Sequence, residues 1–389
     1  MNIHNPSKQI YRILLVLFVG IAVFAALKNW FMPTADMPMV SYPVKSYNNF
    51  LIFKYSFKHI ITESPLYLWN KEECYDLFKY TPTFALFFGL FSWGGDFVGL
   101  LLWSLINSLL PFYAILKLVG TIRQRIFGFS ILLMGESLTS LLNSQSNGVI
   151  LGLMILSLAS FQKGRDYSAV SYILMCAFIK VFGILLFALY WFRREKLKQV
   201  VPFAFLLGLV FLLLPLVLVD FDYLKEQYYS WLNLLSRDSS RFVKYSVMGW
   251  IQNWFHFAPN KLILLSIGLI LQFLFVFTSK NPSKTEIIQW GALWVIWSVI
   301  FNHMAESATF VIAIGGMIVY GLFQPQLSKV DYFIWLLVIF FTILGPTDIY
   351  PVNWRIWIIE SAQLKVFPVM LFWIYATYTL NLTGIKKAA

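Results

Sequence analysis

Residues 47–82 read YNNFLIFKYSFKHIITESPLYLWNKEECYDLFKYTP, the first long polar interruption after an apolar start. Acidic, amide, aromatic and basic side chains crowd together here, while nearly everything beyond is soluble in hydrocarbon. Hydrophobic residues fill 59% of the 389 positions and charged ones only 12%, against roughly a quarter charged in soluble domains. Mean hydropathy is +0.71. No single aqueous core could hide so much apolar surface, so the solvent is a bilayer. A backbone in lipid must satisfy its own polar groups, and the fold class expected is an all-α polytopic membrane protein.

Working outward, the apolar runs lie at 12–31, 82–92, 96–119, 126–142, 148–161, 167–180, 182–192, 199–219, 261–278, 287–301, 306–323, 331–345 and 364–380. A crossing helix needs about 20 residues, so the short runs must be broken, tilted or sunk in protein. Basic residues gather in short loops at 123–125, 163–165, 193–198, 280–284, 329 and 386–387. Cytoplasmic placement of all of these obeys the positive-inside rule. The net charge of +12 is then a matter of orientation, with no nucleic-acid partner expected. Lys8 and Arg12 precede a run that lacks a small-x-small cleavage site, which suggests a retained signal anchor. Parity requires one run before Arg123 not to cross. The run at 82–92 is short and starts at Pro82, so it is expected as a juxtamembrane helix in the first outer loop. About 12 spans result, with a cell-membrane location and both termini cytoplasmic. One domain, residues 1–389, would carry its site on outer loops 32–95 and 220–260.

Several chemistries lack their motifs. No Gly-rich nucleotide loop, HExxH or His/Cys metal spacing occurs, so no metal or cofactor is expected. Cys74 and Cys176 do not suggest a disulfide framework.

The first loop offers Asp36, Glu63, Glu72, Glu73 and Asp76 as carboxylates that could take a proton from an acceptor hydroxyl. Lys180, in IKVFG between two short runs, is costly in lipid unless paired or set in a watery cavity. A phosphate anion is its natural partner. Snorkelling to the interface is the plain alternative. Glu136 lies inside an apolar run and fits a structural ion pair. Gln145 and Asn147, in NSQSN, suit hydroxyl-rich ligands or a capped turn. His303 and Glu306, in FNHMAES, open a helix, and Glu306 suits the helix dipole.

KYTPTFALFFGLFSW, NSQSNGVILGLMILSL and KGRDYSAVSYILMCAFIKVFGILLFALYWFRR together resemble glycosyltransferase family 87, polytopic enzymes of the GT-C fold related to mannosyltransferases that use polyprenyl-phosphate sugars. The shared pieces are the aromatic–Pro pair with Tyr80, the Gln-x-Asn turn and the lysine at a broken helix. The similarity spans roughly residues 47–200 and continues more loosely onward. It implies a lipid-phosphate donor, an outward-facing site and an acidic base in the first loop. Family members commonly carry an Asp before an aromatic early in that loop, where this chain reads Tyr47-Asn48-Asn49-Phe50. Asparagine takes no proton. Asn49 and Lys180 carry over as site positions. The base is left to Glu63, to Asp76, to a different mechanism, or to a weakened enzyme.

The expected function is therefore inverting transfer of a mannose-like hexose from a polyprenyl-phosphate donor to a glycan or lipid acceptor. Lys180 with Arg237 or Arg241 would hold the donor phosphate; Asn48, Tyr80, Gln145, Asn147 and His303 would contact substrate. A transporter or flippase of lipid-linked sugar is the second reading, against which the absence of paired halves counts. An envelope ligase or polymerase is the third.

Overall fold

The computed structural model describes residues 6–37, 40–238, 245–279 and 281–388. The apolar runs fold as helices, and several begin at a side chain that takes their first backbone N–H groups. Thr121 with Gln124, Ser283 with Glu286, and Ser328 with Asp331 form reciprocal caps, while Asn260 accepts from Leu262 and Ile263 N–H.

In chain order the α-helices are α1 (Pro6–Phe31), α2 (Asn48–Ile61), α3 (Pro82–Phe88), α4 (Asp96–Lys117), α5 (Ile122–Leu133), α6 (Glu136–Leu142), α7 (Asn147–Gln162), α8 (Asp166–Ile179), α9 (Leu197–Leu213), α10 (Phe221–Asp238), α11 (Val247–Phe255), α12 (Lys261–Thr278), α13 (Lys284–Ile300), α14 (Phe310–Leu322), α15 (Lys329–Leu337), α16 (Val352–Ile356) and α17 (Phe367–Ala388). Among the described residues the only extended pairing is an isolated bridge between Ala35 and Val44.

α7 is the central rod. All but two of its sixteen residues are buried, and it packs on α4, α8, α13 and α14. The closest approach is at Gly148, where a Cβ would lie 2.1 Å from the Asn107 carbonyl oxygen of α4. α9 and α12 instead turn apolar side chains outward: Phe205 is 74% exposed and Phe277 75%. Water would not tolerate such a rim, whereas lipid solvates it. Lys8–Phe31, Asp96–Lys117, Val181–Val217 and Lys261–Thr278 are each long and apolar enough to cross a membrane. α5 and α6, bent by 41°, make a fifth such segment when taken together. The protein is an all-α membrane protein. The expectation of about 12 crossings counts in addition shorter apolar helices such as α7 and α8.

Two runs carry the longest departures from simple α-helix. Residues 182–192 belong to a 3-10 stretch, Val181–Lys196, which packs close to α8 at Gly183 and kinks at Arg193. The Arg193 guanidinium bonds Asp166 at 3.0 Å and stands 3.9 Å over the Phe161 ring, which fixes that kink. The run at 331–345 begins as α15 and widens into a π segment, Val338–Ile343. Glu136 and Lys365 are fully buried and joined at 2.7 Å. Each desolvated charge would be costly alone, so Glu136 is an internal tie.

The polar loops are themselves helical. In α2, Phe50, Phe53 and Ile60 recur at helical spacing and are buried. α10 lies across the first loop: Gln227 accepts from Leu66 N–H at 2.9 Å, Tyr223 donates to the Ser64 carbonyl at 2.7 Å, and Trp231 donates to the Lys79 carbonyl at 3.2 Å.

Candidate active site

The break after α8 sets the site. α8 stops at Ile179, Lys180 is extended, and the 3-10 stretch starts at Val181. A helix that ends there orphans the Phe178 carbonyl, and the Thr81 hydroxyl donates to it. The same hydroxyl accepts from Phe84 N–H and caps α3, whose first residue is Pro82. One threonine thus ties α3 to the helix break at the lysine.

The turn at 143–147 is fixed from three sides. Asn29 of α1 donates to the Leu142 carbonyl and Ser144 hydroxyl at 3.0 and 3.1 Å, and Trp103 of α4 donates to the Ser144 carbonyl at 2.9 Å. Asn49 of α2 donates its amide to the Asn143 carbonyl at 2.8 Å. Ser144 sits at φ 51°, in the left-handed region.

Between these parts lies a cavity of about 180 Å³ whose polar lining includes Asn49, Asp76, Lys79, Gln145, Lys180 and Glu306. Lys180 donates to Asn147 Oδ1 at 3.2 Å and stands 5.7 Å over the Tyr80 ring. Asn147, fully buried, gives its amide to Gln145 Oε1 at 2.7 Å and to the Ala308 carbonyl at 3.0 Å. Gln145 gives its own amide to Glu306 at 2.6 Å. Cations and carboxylates share one polar chamber, a setting in which a lysine between two apolar runs is tolerated.

A second, apolar cavity of about 400 Å³ adjoins it, walled by residues such as Phe84, Phe88, Leu153, Met175, Phe178 and Phe211. Phe84 stacks on Tyr80 at 4.8 Å, and Phe178 and Ile179 immediately precede Lys180. No residue lines both spaces, but their walls touch: the Phe53 ring of the first packs on Phe84 and Phe88 of the second, 5.2 Å between centroids in each pair.

Of the positions expected from sequence, Asn49, Asp76, Tyr80, Gln145 and Lys180 converge on the polar cavity, and Asn147 braces Lys180 from behind. The others have separate engagements. Asn48 accepts from Tyr75 N–H at 3.0 Å, and Glu63 accepts from Asp220 N–H at 3.0 Å. His303 Nε2 lies 3.3 Å from Lys261 Nζ. Arg237 is exposed in the last turn of α10, and Arg241 lies outside the described residues. Lys79 and Glu306 are additions. Lys79 stood in plain sight beside Tyr80, whereas Glu306 resembled a simple cap.

The loop wall is itself clamped. Lys58 and His59 bond the two Glu73 oxygens at 2.9 and 2.6 Å. Burial alone would raise the Glu73 carboxyl, but the bonds from Lys58 and His59, with the charge they bring, outweigh it and hold it below its ordinary value. Next to it, burial first and the Glu73 and Asp76 charges second push the Cys74 thiol up to about 12.

The fold and the cavities define the class: an all-α membrane protein with a charged chamber beside an apolar groove. The family model for glycosyltransferase family 87 matches residues 78–325. That is more than half of the chain, which belongs to this family and is a glycosyltransferase. The match begins after Asn49, Glu63 and Asp76, while covering Lys180 and Glu306. Comparison with curated proteins gives no match.

Proposed function

We propose that this glycosyltransferase moves a mannose-like hexose from a polyprenyl-phosphate donor to a glycan or lipid acceptor on the extracytoplasmic side of the cell membrane, with inversion. The observation that carries the reading is the contact between the walls of the two cavities, where Lys180 follows directly on groove residues Phe178 and Ile179 and Tyr80 stacks on Phe84. A lipid phosphate sugar presents the same pairing of properties in one molecule: an isoprenoid chain, then a charged head. In this reading the first isoprene units lie among α3, α4, α7 and α8, Lys180 with Lys79 faces the phosphate, and Gln145 and Asn49 face sugar hydroxyls. The cations stabilise charge as it develops on the leaving phosphate. Basic short loops in the cytoplasm, as the charge rule requires, put both termini inside and this chamber outside.

The test is transfer of labelled sugar from synthetic mannosyl, glucosyl and arabinosyl lipid phosphates by the purified protein. Transfer from the mannosyl or the glucosyl donor is expected; no turnover with either overturns the reading, as does turnover with the arabinosyl donor alone. The amide at position 49 favours the alternative, a flippase of lipid-linked sugar. Lipid translocation in proteoliposomes without sugar transfer would establish that instead.

A further inference from the structure

We infer that Glu306 is the general base that takes the acceptor's proton, an assignment that rests on the lipid-phosphate reading above. The position where the resemblance leads one to look, Asn49, cannot accept a proton and spends its amide on the Asn143 carbonyl. Glu63 is bonded to Asp220 N–H and is not part of the cavity lining. Asp76 lines the cavity but is exposed, with Oδ1 accepting from the adjacent Leu77 N–H at 2.7 Å.

Glu306 has what those groups lack. Its carboxylate lines the chamber, is half-buried, and is held by the Gln145 amide at 2.6 Å, while its own backbone N–H bonds the Thr309 hydroxyl at 3.3 Å. Gln145 is bonded in turn to Asn147, and Asn147 to Lys180. The carboxylate and the cation that would face the phosphate therefore keep a fixed relation, as a base and a leaving-group site must. In the step, the acceptor hydroxyl oxygen bonds to the anomeric carbon and its proton passes to Glu306. The anomeric carbon–oxygen bond breaks with its electron pair going to the phosphate, which departs as polyprenyl phosphate.

The experiment compares wild type, Glu306→Gln, Glu306→Asp and Asp76→Asn, each confirmed monodisperse. Turnover is measured against pH, alongside binding of a non-transferable phosphonate analogue of the donor. Glu306→Gln should lower kcat by about 10²–10⁴-fold, keep analogue binding, and lose the acid limb of the kcat/KM profile. Glu306→Asp should keep part of the activity with that limb displaced, and Asp76→Asn, whatever it does to the rate, should keep the acid limb where wild type has it. A Gln variant as active as wild type overturns the assignment, as does one that loses binding and transfer together, or loss of the acid limb in Asp76→Asn. A wild-type protein inert toward every lipid-phosphate donor removes the underlying reading as well, so the two failures are distinct.

Discussion

Lys180 and Glu306 stand at the two ends of one hydrogen-bonded chain. Lys180 donates to Asn147, Asn147 to Gln145, and Gln145 to Glu306, with no link longer than 3.2 Å. Asn147, fully buried, has its oxygen bonded to Lys180 and its amide bonded to both Gln145 and the Ala308 carbonyl. Such a network is stiff while complete and costly when one member is wrong.

Asn147→Asp therefore replaces a donor with an acceptor that faces the Gln145 and Ala308 oxygens. Transfer should fall by about 10²-fold through displacement of Lys180. Thermal unfolding in detergent should show a loss of about 1–3 kcal/mol. Unchanged kcat/KM in this variant would mean that the chain does not set the geometry.

Lys180→Met removes the cation and keeps most of the stem. If the lysine stabilises charge on a leaving phosphate, kcat/KM for the donor falls by about 10²–10³-fold. Lys180→Arg restores part of it, because the charge returns on a differently shaped head. Equal activity in all three proteins would show Lys180 to be a helix-break residue alone.

Asn49→Asp distinguishes a strut from a disabled base. The native amide donates to the Asn143 carbonyl, and a carboxylate there would set two acceptors against each other. Stability should drop by about 0.5–1.5 kcal/mol, since the lost bond is solvent-exposed and water can replace it in part, and transfer should fall. A rise in turnover would instead identify position 49 as a vacant base site.

The membrane fold was legible because apolar runs and basic loops report a bilayer with no tertiary information. The helix break at Lys180 was legible too, since a lysine between two short runs leaves few alternatives. The partners were another matter. Glu306 reads locally as the cap of the following helix, and it is a cap, with Thr309 answering it; its exposure to the chamber depends on Gln145, 161 positions away. Glu63 misled for the same reason, because its partner Asp220 belongs to the approach to α10. The length of the 3-10 stretch was hidden because composition cannot distinguish i→i+3 from i→i+4 bonding.

The first loop should open on the acid side. Glu73 is held below its ordinary 4.5 by Lys58 and His59, so its contribution is complete above that value and is lost as pH falls through the lower folded one. Cys74, buried beside it with its thiol pushed up to about 12, reports the event. In a Cys176→Ser background, a pyridyl disulfide active in acid should label Cys74 slowly at neutral pH and faster as Glu73 protonates. Glu73→Gln should label quickly at both. Labelling indifferent to pH and to this substitution would dissociate the clamp from the loop.

The apolar groove makes a prediction about donor length. Met175 lies one turn before Ile179 and lines the groove from α8. It is also 40% exposed, so a larger side chain fits there without invading the packed interior. Met175→Trp should displace the part of an isoprenoid chain nearest the head. Each methylene denied burial costs about 0.8 kcal/mol, and losing two or three raises KM by about 10–50-fold. A soluble donor with a chain too short to reach Met175 should keep its wild-type KM, and kcat should be unaltered with both donors. A KM increase that ignores chain length would assign the groove to packing, and an unchanged KM with the long donor would place the lipid elsewhere.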